Sequence, residues 1–493
     1  MSTQTAPPPV PTALARPAVK GMGLLLVAVF GGMFLALLDS TIVGTALPRI
    51  VGELGGGSLY TWTVTAYLLS STITVPIYGR LSDVFGRKNL LITGLGLFLL
   101  GSLLCAWSPD MGWLIAFRAL QGLGAGALIP LSLALASDLI PPEKMGRMQG
   151  IMGVLMGTSM VGGPYLGGVL TDNVSWHWIF LINLPAGVLI LAVMLWKLPK
   201  TTRDRSVKVR IDYAGIAVFA LAISALLIGL TQKSASEGGT GELREWTDWQ
   251  VAGPLGASVV LLALFVLIET KVAEPLIPLG LFKNRAYTTF NLASFFGAFG
   301  MMTAMVFLPR FFQDAHRVSA TDSGLRVYPT MIGIVVGSMV ASVVIARTRR
   351  FKALLAGSAL LLLAGCVLFS QLSFTTPTWT TAIWMGLLGL GIGPMLSGLT
   401  IAIQGTVAPE HIGLATGKLS FFRQVGGSVA LAVAGTLYIQ DVRADAPVKG
   451  IAEAASGATG SLLAWVGGIG ALIMLVALLA APGGKLKLRG APR

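Results

Sequence analysis

Apolar runs of about twenty residues recur along the whole chain, divided by short polar stretches. A helix of that length, rising about 1.5 Å per residue, spans the roughly 30 Å hydrocarbon layer of a bilayer. The pattern predicts fourteen such helices between residues 21 and 481. Connections are short except at 198–211, 232–249, 270–287 and 439–458. Residues 1–20, rich in Pro and Ala, have no apolar core and read as a disordered tail, not a signal peptide. Residues 482–493 read as a basic tail.

One position breaks the apolar pattern. Asp39 stands in the middle of the first run, inside Met33–Pro48, and it is the one acid that falls deep within a predicted span. A carboxylate at that depth costs about 2.5–3.5 kcal/mol on insertion scales, so it must face a partner or a wet cavity. A proton or cation site is the functional reading. A structural Asp bonding neighbouring helices is the bland one.

Composition agrees with the pattern. Of 493 residues 54% are hydrophobic and only 11% charged, against roughly 25% charged in a soluble domain. The class is all-α integral membrane protein. The 62 glycines suit close helix packing in lipid. Cys105 and Cys366 lie in separate apolar runs and imply no disulfide. Lys and Arg on the loops sharing a side with the termini outnumber those opposite by roughly three to one. Both termini are therefore expected in the cytoplasm of a cell-membrane, multi-pass protein. The net charge of +14 becomes a topology signal and an affinity for anionic lipid, with no need for nucleic acid. With three His and no Walker, zinc or nucleophile-elbow pattern, neither an enzyme, a metal nor a cofactor is expected.

An internal repeat sets the architecture. Residues 120–150 align without a gap on 387–417, matching Gly122 with Gly389, Gly124 with Gly391, Gly126 with Gly393, Pro142 with Pro409 and Glu143 with Glu410. The offset pairs spans 4 and 5 with spans 12 and 13. Two six-helix bundles, 21–198 and 288–481, are expected to be related by an axis along the membrane normal, with a two-helix insertion at 199–287. That is the plan of a secondary transporter with a site near the midplane.

Four motifs carry the chemistry. Gly79-Arg80-Leu81-Ser82-Asp83-Val84-Phe85-Gly86-Arg87-Lys88 joins spans 2 and 3, its glycines permitting a tight turn and its charges able to pair across moving helices. Arg118-Ala119-Leu120-Gln121-Gly122 lies in span 4, with Arg118 and Asp39 both about 10 Å below the outer boundary. Equal depth permits an ion pair. Arg118 nearby favours the ionised carboxylate, and its withdrawal favours protonation. Ser159-Met160-Val161-Gly162-Gly163-Pro164-Tyr165-Leu166-Gly167-Gly168 in span 5 combines a lost backbone donor with small residues for a kink and close contact. The fourth is the Asp39 stretch, Leu38 to Pro48.

The first motif resembles the signature loop of the major facilitator superfamily. The resemblance implies that Asp83 caps a helix of the other half and that Arg87 pairs with Asp138 at the end of span 4. Gly163, Pro164, Gly167 and Gly168 resemble the antiporter motif of drug-exporting facilitators, with Ser159 in place of a leading Gly. The Asp39 stretch resembles the first span of the fourteen-span drug:proton antiporters, with Gly44-Thr45 where that family has Asn-Val. Trp176 to Pro185 resembles its sixth-span entry, with His177 in place of Arg. The likeness covers residues 21–481.

The expectation is a monomeric, proton-driven antiporter that exports hydrophobic, cationic or amphipathic drug-like compounds by alternating access. Asp39 and Arg118 couple protons, while Gln121, Asn183, Asn291, Phe295 and Arg423 are candidates for the substrate cavity. Arg423, inside span 13, needs an acceptor that the sequence does not identify. An exporter of an endogenous natural product or lipid, a facilitator-type importer and a non-transporting membrane sensor stay open on the same fold.

Overall fold

The computed structural model describes residues 22–55, 59–139, 145–198, 212–234, 244–272, 279–406 and 412–483. Its long helices are α1 (Met22–Leu54), α2 (Tyr60–Phe85), α3 (Arg87–Ala106), α4 (Met111–Leu139), α5 (Met145–Asn173) and α6 (Trp178–Lys197, with a turn at Ile182). They continue with α7 (Tyr213–Ser234), α8 (Trp249–Lys271), α9 (Arg285–His316), α10 (Tyr328–Thr348), α11 (Lys352–Leu368), α12 (Thr378–Gln404), α13 (Ile412–Lys449) and α14 (Ile451–Ala480). A short helix, Ala320–Arg326, precedes α10. Among the described residues no strand forms.

Twelve of these helical segments are long and apolar enough to cross a membrane. The other two, α2 and α5, have the length and lack the apolarity. In α2 the reason is its hydroxyls: Thr63, Thr65, Ser70, Ser71, Thr72 and Thr74 are all buried in the protein. Glycines and polar residues do the same to α5.

The glycines repeated between the halves do equivalent work in each. A Cβ at Gly122 or Gly126 would collide with α2, at Ser70 and Thr74, and one at Gly124 with α3 at Phe98. Gly389 and Gly393 press likewise on α10, at Thr330 and Ile334, and Gly391 on α11 at Leu362. So α4 is wedged between α2 and α3 as α12 is between α10 and α11. Only a hydrogen side chain admits backbones this close on both faces of one helix.

The halves meet along two seams. On one, α2 packs against α13, where Gln424 Nε2 donates to Ser71 Oγ at 2.5 Å. On the other, α5 packs against Ala320–Arg326 and α10. α7 rests on the α2–α13 seam through Phe219, 5.3 Å from Phe421, and α8 packs chiefly on α7.

The expected long connection at 439–458 is helical. α13 runs to Lys449 and α14 starts at Ile451, the two parted only by Gly450 at φ 82°. The stretch is polar but rich in alanine, the strongest helix former. Polarity ends a membrane span without ending a helix.

Candidate functional site

Four helices of the N-terminal half converge on the Asp39 carboxylate, which is fully buried. Arg118 Nη1 on α4 donates to its Oδ2 at 2.6 Å. Gln121 Nε2, one turn along α4, donates to Oδ1 at 2.8 Å, and Asn183 Nδ2 on α6 donates to the same oxygen at 3.0 Å. Arg118 Nη1 also reaches Gln121 Oε1 at 2.7 Å, so guanidinium, amide and carboxylate close a ring. From α3, Ser102 Oγ accepts from Asn183 Nδ2 at 3.0 Å and donates to the Phe180 carbonyl at 2.9 Å. The Arg118 guanidinium carbon sits 4.1 Å over the Tyr67 ring of α2. Charge, hydrogen bonds and a π face together offset the desolvation of a membrane-buried ion pair.

Two polar atoms are left over. Arg118 Nε and Asn183 Oδ1 are buried with no hydrogen-bond partner. In low dielectric each such atom costs about 1–3 kcal/mol, so the ring is strong and incompletely satisfied.

Gln121 and Asn183, expected to line a substrate cavity, stand on the carboxylate instead, at 0% and 1% exposure. For Gln121 the sequence held the clue: three residues after Arg118, it shares that residue's helix face. Nothing in the sequence pointed to Tyr67 or Ser102, because their roles depend on how α2 and α3 are rotated about their axes.

The span-5 motif is geared to the Asp39 helix. A Cβ at Gly163 would lie 2.0 Å from Thr41 Oγ1, and one at Gly167 would lie 2.4 Å from Thr45 Oγ1. Thr41 Oγ1 donates to the Ser159 carbonyl at 3.0 Å. On its other side the same helix meets the second half: Gly168 faces Thr321, and Gly324 faces the Pro164 carbonyl, where a Cβ would lie 2.7 Å away. Asp172 Oδ2 accepts from Thr321 N at 2.9 Å and from its hydroxyl. The halves are thus clasped at the end of the bundle remote from the chain termini.

At the terminal end, Gly86 joins α2 to α3 at φ 82°, a conformation that favours glycine. Arg87 Nη1 donates to the Ala134 carbonyl in the last turns of α4 at 2.6 Å. Gly79 accepts from Ser82 Oγ at 2.7 Å. The side chains of Asp83 and Asp138 lie outside the described residues.

In the C-terminal half, Asn291 is buried on α9, its Nδ2 donating to the Tyr287 carbonyl at 2.7 Å. With Phe282, Phe295, Phe296 and Phe422 it lines a cavity of about 330 Å³ to which no residue of α1–α6 contributes. Arg423 is half-buried on α13, and its Nη2 is 3.4 Å from Ser420 Oγ.

A sequence model of the Major Facilitator Superfamily matches residues 29–431. The chain belongs to that family. It is 36% identical over 414 residues to the multidrug transporter protein MdtP of Bacillus subtilis (strain 168), covering 84% of this chain and 75% of that one. It is 34% identical over 416 residues to multidrug resistance protein 3 of the same organism, covering 84% and 78%. A solved bacterial homologue of the human lysosomal transporter Spinster, in an inward-facing and unoccupied conformation, superposes with a TM-score of 0.65 at 14% identity, covering 96% of this chain and 99% of that one. That likeness concerns the fold. The protein is a major facilitator transporter, and its family is not one of enzymes.

Proposed function

We propose that this facilitator is a fourteen-span, proton-coupled antiporter that exports hydrophobic, amphipathic compounds from the cytoplasm, with both termini inside. The observation that carries the reading is the closed ring of Asp39, Arg118, Gln121 and Asn183, a single titratable carboxylate at the junction of helices that must shift. A proton arriving at Asp39 removes the negative charge and weakens three hydrogen bonds at once. Arg118 then loses its counterion and the ring opens. Because Thr41 on the Asp39 helix packs into Gly163 of α5, and Gly168 of α5 packs on Thr321, the change reaches the clasp between the halves. In this scheme the remote end of the bundle faces outside and is closed in the state described.

Relatedness to a multidrug transporter and a multidrug resistance protein supports efflux, as does the span-5 glycine motif. They bear less on substrate charge. An Asp39 already holding three donors offers no free edge to a cation in this state, so the expected preference for cations lacks a contact here.

Proteoliposome flux under an imposed pH gradient tests the reading, using ethidium, Nile red and pyrenebutyrate as cationic, neutral and anionic probes. At least one should move uphill with counterflow of protons. Asp39→Asn should reduce that flux to the level seen with a protonophore. Uphill flux at the parental rate in Asp39→Asn would remove the carboxylate from the mechanism.

A further inference from the structure

Arg423 is the half-buried cation within a span that the Asp39 ring leaves unexplained. It stands about 16 Å along α13, inside the span. Its position on the helix is fixed by its neighbours. Gln424 reaches Ser71 of α2, and Thr416, on the same helical stripe as Arg423 two turns earlier, accepts from Gln404 of α12. Phe421 and Phe422 point elsewhere, to Phe219 and Phe282. Arg423 therefore lies on the face of α13 between α12 of its own half and α2 of the other. Its one hydrogen-bond partner among the described residues is a neutral hydroxyl, Ser420 Oγ.

Among the described residues no carboxylate forms an ion pair with it. α7, α10 and α12 contain no acid, and those of α9 and α13 come only at Asp314, Asp441 and Asp445, near their far ends. Asp83 lies about 18 Å of helical rise beyond Ser71 on α2, and Asp138 as far beyond Gly126 on α4. Asp39 is committed to Arg118. Among the described residues the spans thus hold Asp39, Arg118 and Arg423 at depth, with Lys418 and Glu269 buried nearer the ends of α13 and α8, and of the deep charges Arg423 is the one not matched by an ion pair. A single-signed charge between low-dielectric walls concentrates the opposite charge beside it, and a guanidinium binds carboxylate or sulfonate through two parallel donors.

We propose that Arg423 is the head-group subsite for an organic anion, so that the compounds carried include amphiphiles with a carboxylate or sulfonate on an apolar body. This rests on the transport reading for its biological meaning, but binding tests it separately. The purified full chain in zwitterionic lipid nanodiscs is titrated with 1-pyrenebutyrate, 1-pyrenebutanol and 1-pyrenebutylammonium, which share one apolar body, against empty discs. The parent should bind the carboxylate about tenfold more tightly than the alcohol. Arg423→Gln should erase that ratio while leaving the alcohol's affinity unchanged, and Arg423→Lys should keep part of it. Should Arg423→Gln not fold, the parent's ranking still decides: equal affinities, or preference for the ammonium, overturn the proposal. So does an unchanged ratio in Arg423→Gln. Discs containing phosphatidylglycerol distinguish the source of the anion. Weaker pyrenebutyrate binding there, in the parent and not in Arg423→Gln, assigns the subsite to a lipid headgroup; unchanged binding assigns it to the soluble amphiphile. An intact preference with no proton-driven flux would sink the antiport reading alone.

Discussion

Arg118 and Arg423 are both guanidinium groups within the helical bundle, one in each half, and their surroundings differ in every respect. Arg118 is fully buried, pairs with Asp39 at 2.6 Å, bonds Gln121 and lies on Tyr67. Arg423 is half-buried and touches one hydroxyl at 3.4 Å. The first has the features of a charge the fold depends on. The second has those of a charge the fold tolerates and leaves available. A buried ion held by its partner responds to protons, whereas an accessible unmatched one responds to ligands.

The largest effect should come from breaking the first pair. Arg118→Ala strands a buried carboxylate and should destabilise the protein by about 3–5 kcal/mol, read as a fall in the melting temperature in detergent. The double variant Asp39→Asn with Arg118→Gln should be more stable than Arg118→Ala alone, because no net charge remains buried. Equal melting temperatures for Arg118→Ala and the parent would mean that the pair contributes nothing to the fold.

Next in size is the clasp that couples the halves. Gly168→Val places a side chain where Thr321 backbone already stands, with the first new atom 2.3 Å from its Cα. Overpacking of this kind costs about 1–3 kcal/mol, here in the arrangement where α5 and Ala320–Arg326 touch. Spin labels on α5 and Ala320–Arg326 should report a shift toward longer distances. An unchanged distribution would show that the seam is softer than its packing implies.

Arg423→Gln should by contrast change thermal stability by less than about 1 kcal/mol, since it leaves no charge unpaired and removes one long hydrogen bond. A loss as large as that of Arg118→Ala would erase the contrast between the two sites.

Orientation carries no energetic effect but decides which side the Arg423 face opens to. Lys283 is exposed just before α9, and Cys105 and Cys366 are buried, so Lys283→Cys offers a single reactive thiol. An impermeant maleimide should label it in everted vesicles and spare it in intact cells. Labelling in intact cells would invert the topology.

Much of this was legible before any fold. The apolar runs, the lone deep acid, the basic asymmetry and the repeated glycines of 120–150 and 387–417 each follow from local composition or from comparing the chain with itself. Transfer of a helix into lipid depends on which residues it contains, so one dimension suffices to find it. The limits appear where composition and geometry part: α2 carries a row of buried hydroxyls that its apolar run does not announce, and 439–449 is helical although polar. The sequence also set Asp39 and Arg118 at equal depth, but depth is not contact. Which side chains complete the ring depends on the rotation of α3, α4 and α6 about their axes, and that is decided by the glycine faces on which they pack. Tertiary structure alone brought Gln121 and Asn183 to the carboxylate and left Arg423 with no acid among the described residues, because hydrogen bonds need angstrom placement that no spacing along a chain supplies.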